Sequence, residues 1–165
     1  MLVTEFYDAV LVPALNKTAS FAPEMVRNRS LKVLMTAISG QEANWTERVQ
    51  VPGGFARGLF QMQLNDIADI MANDATSGIF DLGMKAFGIK TQTAEHLFNL
   101  IETPEGDVLA AFLARLNLYA DPKPIPPADI QQAMWEYYLA TWRPGMENWK
   151  RWEGVYGQAL SAVPA

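Results

Sequence analysis

The sequence predicts a mainly α fold: a helical bundle with a small irregular β-hairpin or loop after the helix that ends in Glu42. Three observations predict it. Apolar residues recur at helical spacing in segment after segment. Breakers such as Pro13, Gly88 and Arg143-Pro144-Gly145 fall between those segments. One stretch, Asn44 to Met62, departs from the pattern, with Val49 and Val51 just ahead of the turn signal Pro52-Gly53-Gly54. The chain has 165 residues, 50% hydrophobic and 19% charged. That is enough for a single domain, 1–165, with a real core, and it is not a disordered composition.

The elements follow in order. Thr4 to Val12 reads as a helix that Pro13 should end or kink. Ser20 is placed to cap a second helix, with Pro23 near its first turn. The stripe Leu31, Met35, Ile38 carries that helix to Gln41 or Glu42. In the irregular stretch, an extended 57–63 would send Arg57, Leu59, Gln61 and Gln63 to one side, and Gly58, Phe60 and Met62 to the other. The first of these faces is mostly polar and suited to meeting a ligand. Asn65 can cap a short helix through Met71. Further helices are expected over Ser77 to Phe87, Thr93 to Glu102 and Gly106 to Tyr119, the last with the core stripe Leu109, Phe112, Leu113, Leu116. The run Asp121-Pro122-Lys123-Pro124-Ile125-Pro126-Pro127 is a stiff polyproline-like connector. It is not a domain boundary, because the amphipathic helix after it, Ala128 to Trp142, needs something to pack on. A last helix carries Trp149, Trp152, Tyr156 and Ala159 at core spacing.

Composition excludes several classes. With no cysteine there are no disulfides, thiolate metal sites or cysteine nucleophiles. The single histidine, His96, cannot build a metal cluster and reads as a solvent-facing helix residue. The net charge is −5, the isoelectric point is about 4.8, and no Lys/Arg run is present, which argues against nucleic acid as a partner. No phosphate-cradling glycine motif occurs. No apolar run is long enough to span a membrane. Met1 to Phe6 has no basic flank before an apolar stretch, so no signal peptide is expected.

Glu42 is the candidate for chemistry. It continues the core-facing stripe Leu31, Met35, Ile38 at the negative end of a helix dipole, where its charged form is disfavoured. A carboxylic acid kept protonated near neutral pH can donate a proton, which points to cleavage of a glycosidic bond. Against this stands the common case of a helix-terminal Glu that simply turns out to water.

The segment that follows carries a resemblance. Gln41-Glu42 at a helix end, then Gly58-Leu59-Phe60-Gln61, resembles the lysozyme-like superfamily and, within it, the lytic transglycosylases. More narrowly, the chain is similar to small phage-encoded lysozyme-like proteins with the signature Gly-Gly-Pro-Ala-Arg-Gly-Leu-Trp-Gln-Phe. Here that stretch is Gly53-Gly54-Phe55-Ala56-Arg57-Gly58-Leu59-Phe60-Gln61-Met62. Similarity continues at Leu109-Ala110-Ala111, Ala114-Arg115-Leu116, Leu118-Tyr119-Ala120-Asp121-Pro122, Trp135, Tyr137-Tyr138 and Trp142-Arg143-Pro144-Gly145, so it reaches from about Leu31 to Leu160. The chain departs from the signature at Phe55 and Phe60, in place of Pro and Trp, changes that would alter a cleft wall.

The resemblance implies an α+β lysozyme-like fold and one catalytic carboxylate, Glu42. It would protonate the oxygen between N-acetylmuramic acid and N-acetylglucosamine. It would then act as base while the muramyl C6 hydroxyl closes a 1,6-anhydro ring. No metal or cofactor is implied. Gln61 would lie along the sugar cleft with Gln63 on the same polar face, and Arg57 would brace the loop or touch substrate. Tyr119 would occupy the place of the tyrosine that faces the acid, although the usual Tyr-Asn-x-Gly context is absent. The partners implied are peptidoglycan glycan strands and other virion proteins. The implied setting is the phage virion, or the host cytoplasm at synthesis, with action on the bacterial wall.

Other readings stay open. A two-carboxylate hydrolase needs a second acid about 5 Å away, or further for inversion. Glu47 and Asp66 are the nearest downstream acids, and both read more readily as solvated or capping residues. Trp45 could touch Glu42 and raise its pKa, the pairing of a glutamic acid with a tryptophan that is already familiar from lysozyme. Trp135 and Tyr138 are cleft candidates for which core burial competes. Arg115 could pair with Glu42 or Asp121, or be exposed, and pairing with Glu42 would lower the acid's pKa. The rival function is a phage virion structural or wall-binding protein that keeps the fold with little activity.

Overall fold

The computed structural model describes every residue except Arg27, Val51 and Pro52. The protein is mainly helical. It opens with α1 (Val3–Phe6), passes through a π-helical turn at Tyr7–Leu11 and continues as α2 (Val12–Ala19). Pro13 has no N–H to give to the carbonyl one turn back, and its ring crowds that carbonyl. Widening the preceding turn lets the rod continue past the proline.

Ser20 does not start the next helix. It caps the C-terminus of α2, with its Oγ donating to Lys17 O at 2.6 Å, and Pro23–Met25 forms a separate 3-10 turn. α3 (Arg29–Ala43) begins at Asn28, whose Oδ1 accepts the Leu31 N–H at 2.8 Å. Asn is as good a cap as Ser and stands directly ahead of the apolar stripe. α3 is enclosed on nearly every side: Leu31, Val33, Leu34, Met35, Ala37 and Ile38 are at most 2% exposed. α9 (Trp149–Ala162) lies along it. α7 (Asp107–Tyr119), α8 (Gln131–Trp142) and the first helix cover the rest.

α4 (Leu64–Ala72), α5 (Ser77–Phe87) and α6 (Ala94–Leu100) close the far side, with α4 and α5 against α7 and α6 against α4. The cap of α4 is Gln63, not Asn65: the Gln63 N–H donates to Asp66 Oδ2 at 2.7 Å, and Asn65 is already inside the helix. α5 lies close to α7 because Gly83 has no side chain; a Cβ there would stand 2.2 Å from a Phe112 ring carbon. One hydrophobic cluster runs through the whole fold, from Phe6 to Val163. No described helix is long and apolar enough to cross a membrane.

The stretch after α3 holds two isolated antiparallel bridges, Val49 with Arg57 and Arg57 with Met62. The alternation expected for an extended 57–63 does not form. Gly58 (φ 76°) and Gln61 (φ 49°) are left-handed, so 58–61 closes as a tight turn. Arg57 and Met62 exchange both backbone bonds at 2.9 Å across it. Leu59, Phe60 and Met62 therefore all face the core, at 0%, 1% and 0% exposure. Phe60 packs on Phe6 and Trp142, with ring centroids 5.9 and 6.3 Å away, so it fills the core and forms no cleft wall. Val51 and Pro52, part of the turn signal, lie outside the described residues.

Two ion pairs fasten this stretch to the turn after α6 and to α7. Arg57 Nε meets Glu102 at 2.8 Å. Arg48 grips Asp107, the first residue of α7, through Nε and Nη2, both at 2.7 Å. Asp107 is only 5% exposed, so losing its partner would strand a buried charge. Arg48→Ala is expected to cost about 3 kcal/mol in urea unfolding, with most of the loss recovered in Arg48→Ala/Asp107→Ala.

Candidate functional site

Glu42 stands in the last turn of α3, half-buried, on the stripe set by Leu31, Met35 and Ile38. The helix ends immediately after it. Asn44 (φ 48°) and Trp45 (φ 57°) are both left-handed, and the Asn44 N–H returns to Gly40 O at 3.1 Å. Asn tolerates this conformation, whereas Trp is strained in it. The reversal turns the Trp45 indole back onto its own helix. There Nε1 donates to Thr36 O at 2.8 Å and the ring covers Gly40. Trp45 is 5% exposed and serves as packing for α3.

Glu42's partners come from α8 and α9. The Tyr138 phenol donates a hydrogen bond to Glu42 Oε1. Arg151 places a positive charge nearby, while its Nη2 donates to Gly40 O at 2.9 Å. Among the described residues, Glu42 forms no ion pair. The start of α9 fixes this arrangement. Gln41 Nε2 donates to Asn148 O at 3.1 Å, and Asn148 Oδ1 caps α9 through the Arg151 N–H at 3.0 Å. Tyr138 lies flat on Trp152, with centroids 4.8 Å apart and planes 15° apart, and touches Trp135 at 5.4 Å.

The electrostatics follow from burial. Loss of water pushes the Glu42 carboxyl above its usual value, and the Tyr138 hydrogen bond and the Arg151 charge pull back only part of that rise. Burial first, then the Glu42 charge and its hydrogen bond, push the Tyr138 phenol far above its ordinary value, so it remains a donor. Because the phenol favours the carboxylate form, Tyr138→Phe should make Glu42 titrate at higher pH than in the wild type. Carbon-13 NMR of the Glu carboxyls reads this directly, and a downward or absent shift would remove Tyr138 from the account.

The other sequence candidates are placed as follows. Trp135 is 7% exposed and sits among Tyr138, Trp149 and Trp152, so it belongs to the aromatic packing under the site. Arg57 braces the loop: besides Glu102 it donates to Gly54 O and Ala56 O, and its guanidinium lies over Phe98. Gln61 is also a brace, with Nε2 donating to Gly58 O at 3.0 Å and Glu47 O at 3.3 Å. Arg57 and the exposed Gln63 line a shallow cavity of about 280 Å³ with Phe55, Leu64, Asn65 and Phe98; Glu42 is not part of its wall. Phe55, 85% exposed, is therefore a surface residue of that cavity.

Tyr119 is not the tyrosine on the acid. It stacks under the Arg115 guanidinium, and the phenol at Glu42 is Tyr138. Arg115 does not reach Glu42 either; its Nε donates to Met25 O at 2.6 Å. Glu47 is exposed, and Asp66 is committed to capping α4. Arg151 was not singled out from the sequence. It sits between the core aromatics Trp149 and Trp152, and no local pattern ties it to Glu42. Comparison of the chain with protein-family models, curated proteins and solved structures finds no match.

Proposed function

We propose that this protein is a lysozyme-like peptidoglycan lytic transglycosylase of phage type, cutting the β-1,4 bond between N-acetylmuramic acid and N-acetylglucosamine. The observation that carries this reading is Glu42 itself. It is a helix-terminal carboxyl whose protonated form is favoured by burial, held in place by a phenol that stays neutral. Such a group can give its proton to the glycosidic oxygen as the bond breaks. The resulting carboxylate then takes the proton of the muramyl C6 hydroxyl while that oxygen attacks C1. This closes the 1,6-anhydro ring and returns Glu42 to its acid form.

A single-acid route is favoured by the resemblance; of the two second acids the sequence offers, Asp66 is taken up in the cap of α4 and Glu47 is exposed. One observation favours the rival reading of a virion structural or wall-binding protein with little activity. Tyr138 occupies one oxygen of Glu42, and Arg151 draws the acid toward its charged form.

Digestion of native peptidoglycan, with mass spectrometry of the released muropeptides, separates these readings. Anhydro-muropeptides from the wild type and not from Glu42→Gln support the transglycosylase. Reducing-end products mean hydrolysis. No release by folded wild-type protein favours the binding role.

A further inference from the structure

A cavity of about 550 Å³ opens at the opposite end of α3 from Glu42. Asn28, the cap of α3, lines it, and Glu42 is roughly 20 Å further along the same helix at about 1.5 Å per residue. The other walls are Ala75 between α4 and α5, the last turn of α7, the proline-rich connector and Tyr137 of α8.

Arg115 is the unusual member of this wall. It is 7% exposed. Its Nε donates to Met25 O at 2.6 Å, and its guanidinium lies 5.2 Å over the Tyr119 ring. Among the described residues, no carboxylate forms an ion pair with it, and its terminal nitrogens Nη1 and Nη2 have no hydrogen-bond acceptor. Burial of this cation lowers its pKa to about 10. Tyr119 and Tyr137 favour the charged form of this cation, and an arriving anion would add the carboxylate partner that it lacks among the described residues.

The surroundings favour one kind of anion. Lys123 brings a second positive charge to the rim, and the N-terminal end of α3 adds a favourable field. Asp121, the acid of the same rim, accepts the Lys123 backbone N–H at 2.9 Å. Its charge would oppose a dianion more than a monoanion. Beside the polar Asn28 and the two tyrosines, Leu118, Pro122 and Ile125 give the wall an apolar part that suits an aliphatic body. The free edge of the guanidinium is a flat two-donor fork that matches a carboxylate.

We propose that this cavity is a binding site for a small organic carboxylate, with both oxygens held by Nη1 and Nη2 of Arg115 and Lys123 at its mouth. The site stands independently of any reaction at Glu42. Calorimetric titration of the full chain with N-acetyl-L-alanine, its uncharged N-methylamide and inorganic phosphate tests it. The carboxylate is expected to bind saturably, the amide not at all, and phosphate more weakly than the carboxylate. Arg115→Lys keeps the charge but loses the fork, and should weaken carboxylate binding about tenfold or more. Should that variant fail to fold, Lys123→Gln, on the exposed rim, is expected to fold and to weaken binding severalfold. The proposal is overturned by absent carboxylate binding to folded wild type, by equal binding of the amide, by tighter binding of phosphate, or by unchanged affinity in the folded variants.

Discussion

Under the proposed transglycosylase function, Glu42→Gln is expected to abolish glycan cleavage, and it should make the protein more stable at neutral pH. General acid–base catalysis by one positioned group contributes about 10²- to 10⁴-fold, so activity should fall by at least that range. The fold should survive, because the Gln carbonyl oxygen still accepts from Tyr138. The stability change has a definite sign. Burial holds the Glu42 carboxyl above its unfolded value. Between those two values the native state therefore binds more protons than the unfolded state. Stability contributed by the acid is fully present below the unfolded pKa of about 4.3 and is lost as pH rises through the folded value. Gln has no charge to bury, so its melting temperature should exceed that of the wild type at neutral pH. The gap should close below about pH 4, where both proteins carry a neutral group. Thermal melts of the two proteins across pH 3 to 8 check this. A variant less stable than wild type at pH 7 would contradict the desolvation account.

Trp152→Ala should be among the most destabilising single changes in the chain. Trp152 is fully buried, stacked on Tyr138 and in ring contact with Trp135 and Tyr156 at 5.5 Å each. Removing it deletes the centre of the packing between α8 and α9. Large-to-small changes of this kind cost about 3–5 kcal/mol, roughly a 10 °C fall in melting temperature for a chain of this size. It should also release the Tyr138 ring from the plane that aims its phenol at Glu42. Trp152→Phe keeps much of the volume and removes an indole N–H that is buried without an acceptor among the described residues, so it should cost under about 1.5 kcal/mol. Denaturant unfolding of both variants separates the effects. Equal losses would mean that ring stacking contributes little.

The sequence made the helices legible where periodicity and punctuation agreed. Ser77 to Phe87, stopped by Gly88, matches α5, and Gly106 to Tyr119 matches α7 within a residue. Boundaries failed where two capping residues competed. Ser20 and Asn28 both suit an N-cap, and only packing shows that Ser20 finishes the earlier helix. The 57–63 stretch failed for a different reason: its alternation presumed extended backbone, and a left-handed Gln61 leaves no composition signal. Glu42 was legible because it continues a stripe. Its surroundings were less so, since Tyr138 and Arg151 reach it from helices far along the chain, and such pairings depend on how α8 and α9 dock. Tyr119 was the tyrosine the resemblance suggested, without the usual Tyr-Asn-x-Gly context, and the geometry places Tyr138 at the acid.

The reversal after α3 couples Gly40 and Trp45, so that neither can change without the other. A Cβ on Gly40 would fall 2.4 Å from the nearest indole carbon, so no larger residue fits at 40 while the indole stays where it is. A smaller residue at 45 would in turn leave a void over the glycine and free the Thr36 carbonyl. Each change is harmful alone, and the two together could conserve volume. Mutational drift at the base of the Glu42 turn is therefore epistatic. A path from one solution to the other passes through a destabilised single variant, whichever of the two positions changes first.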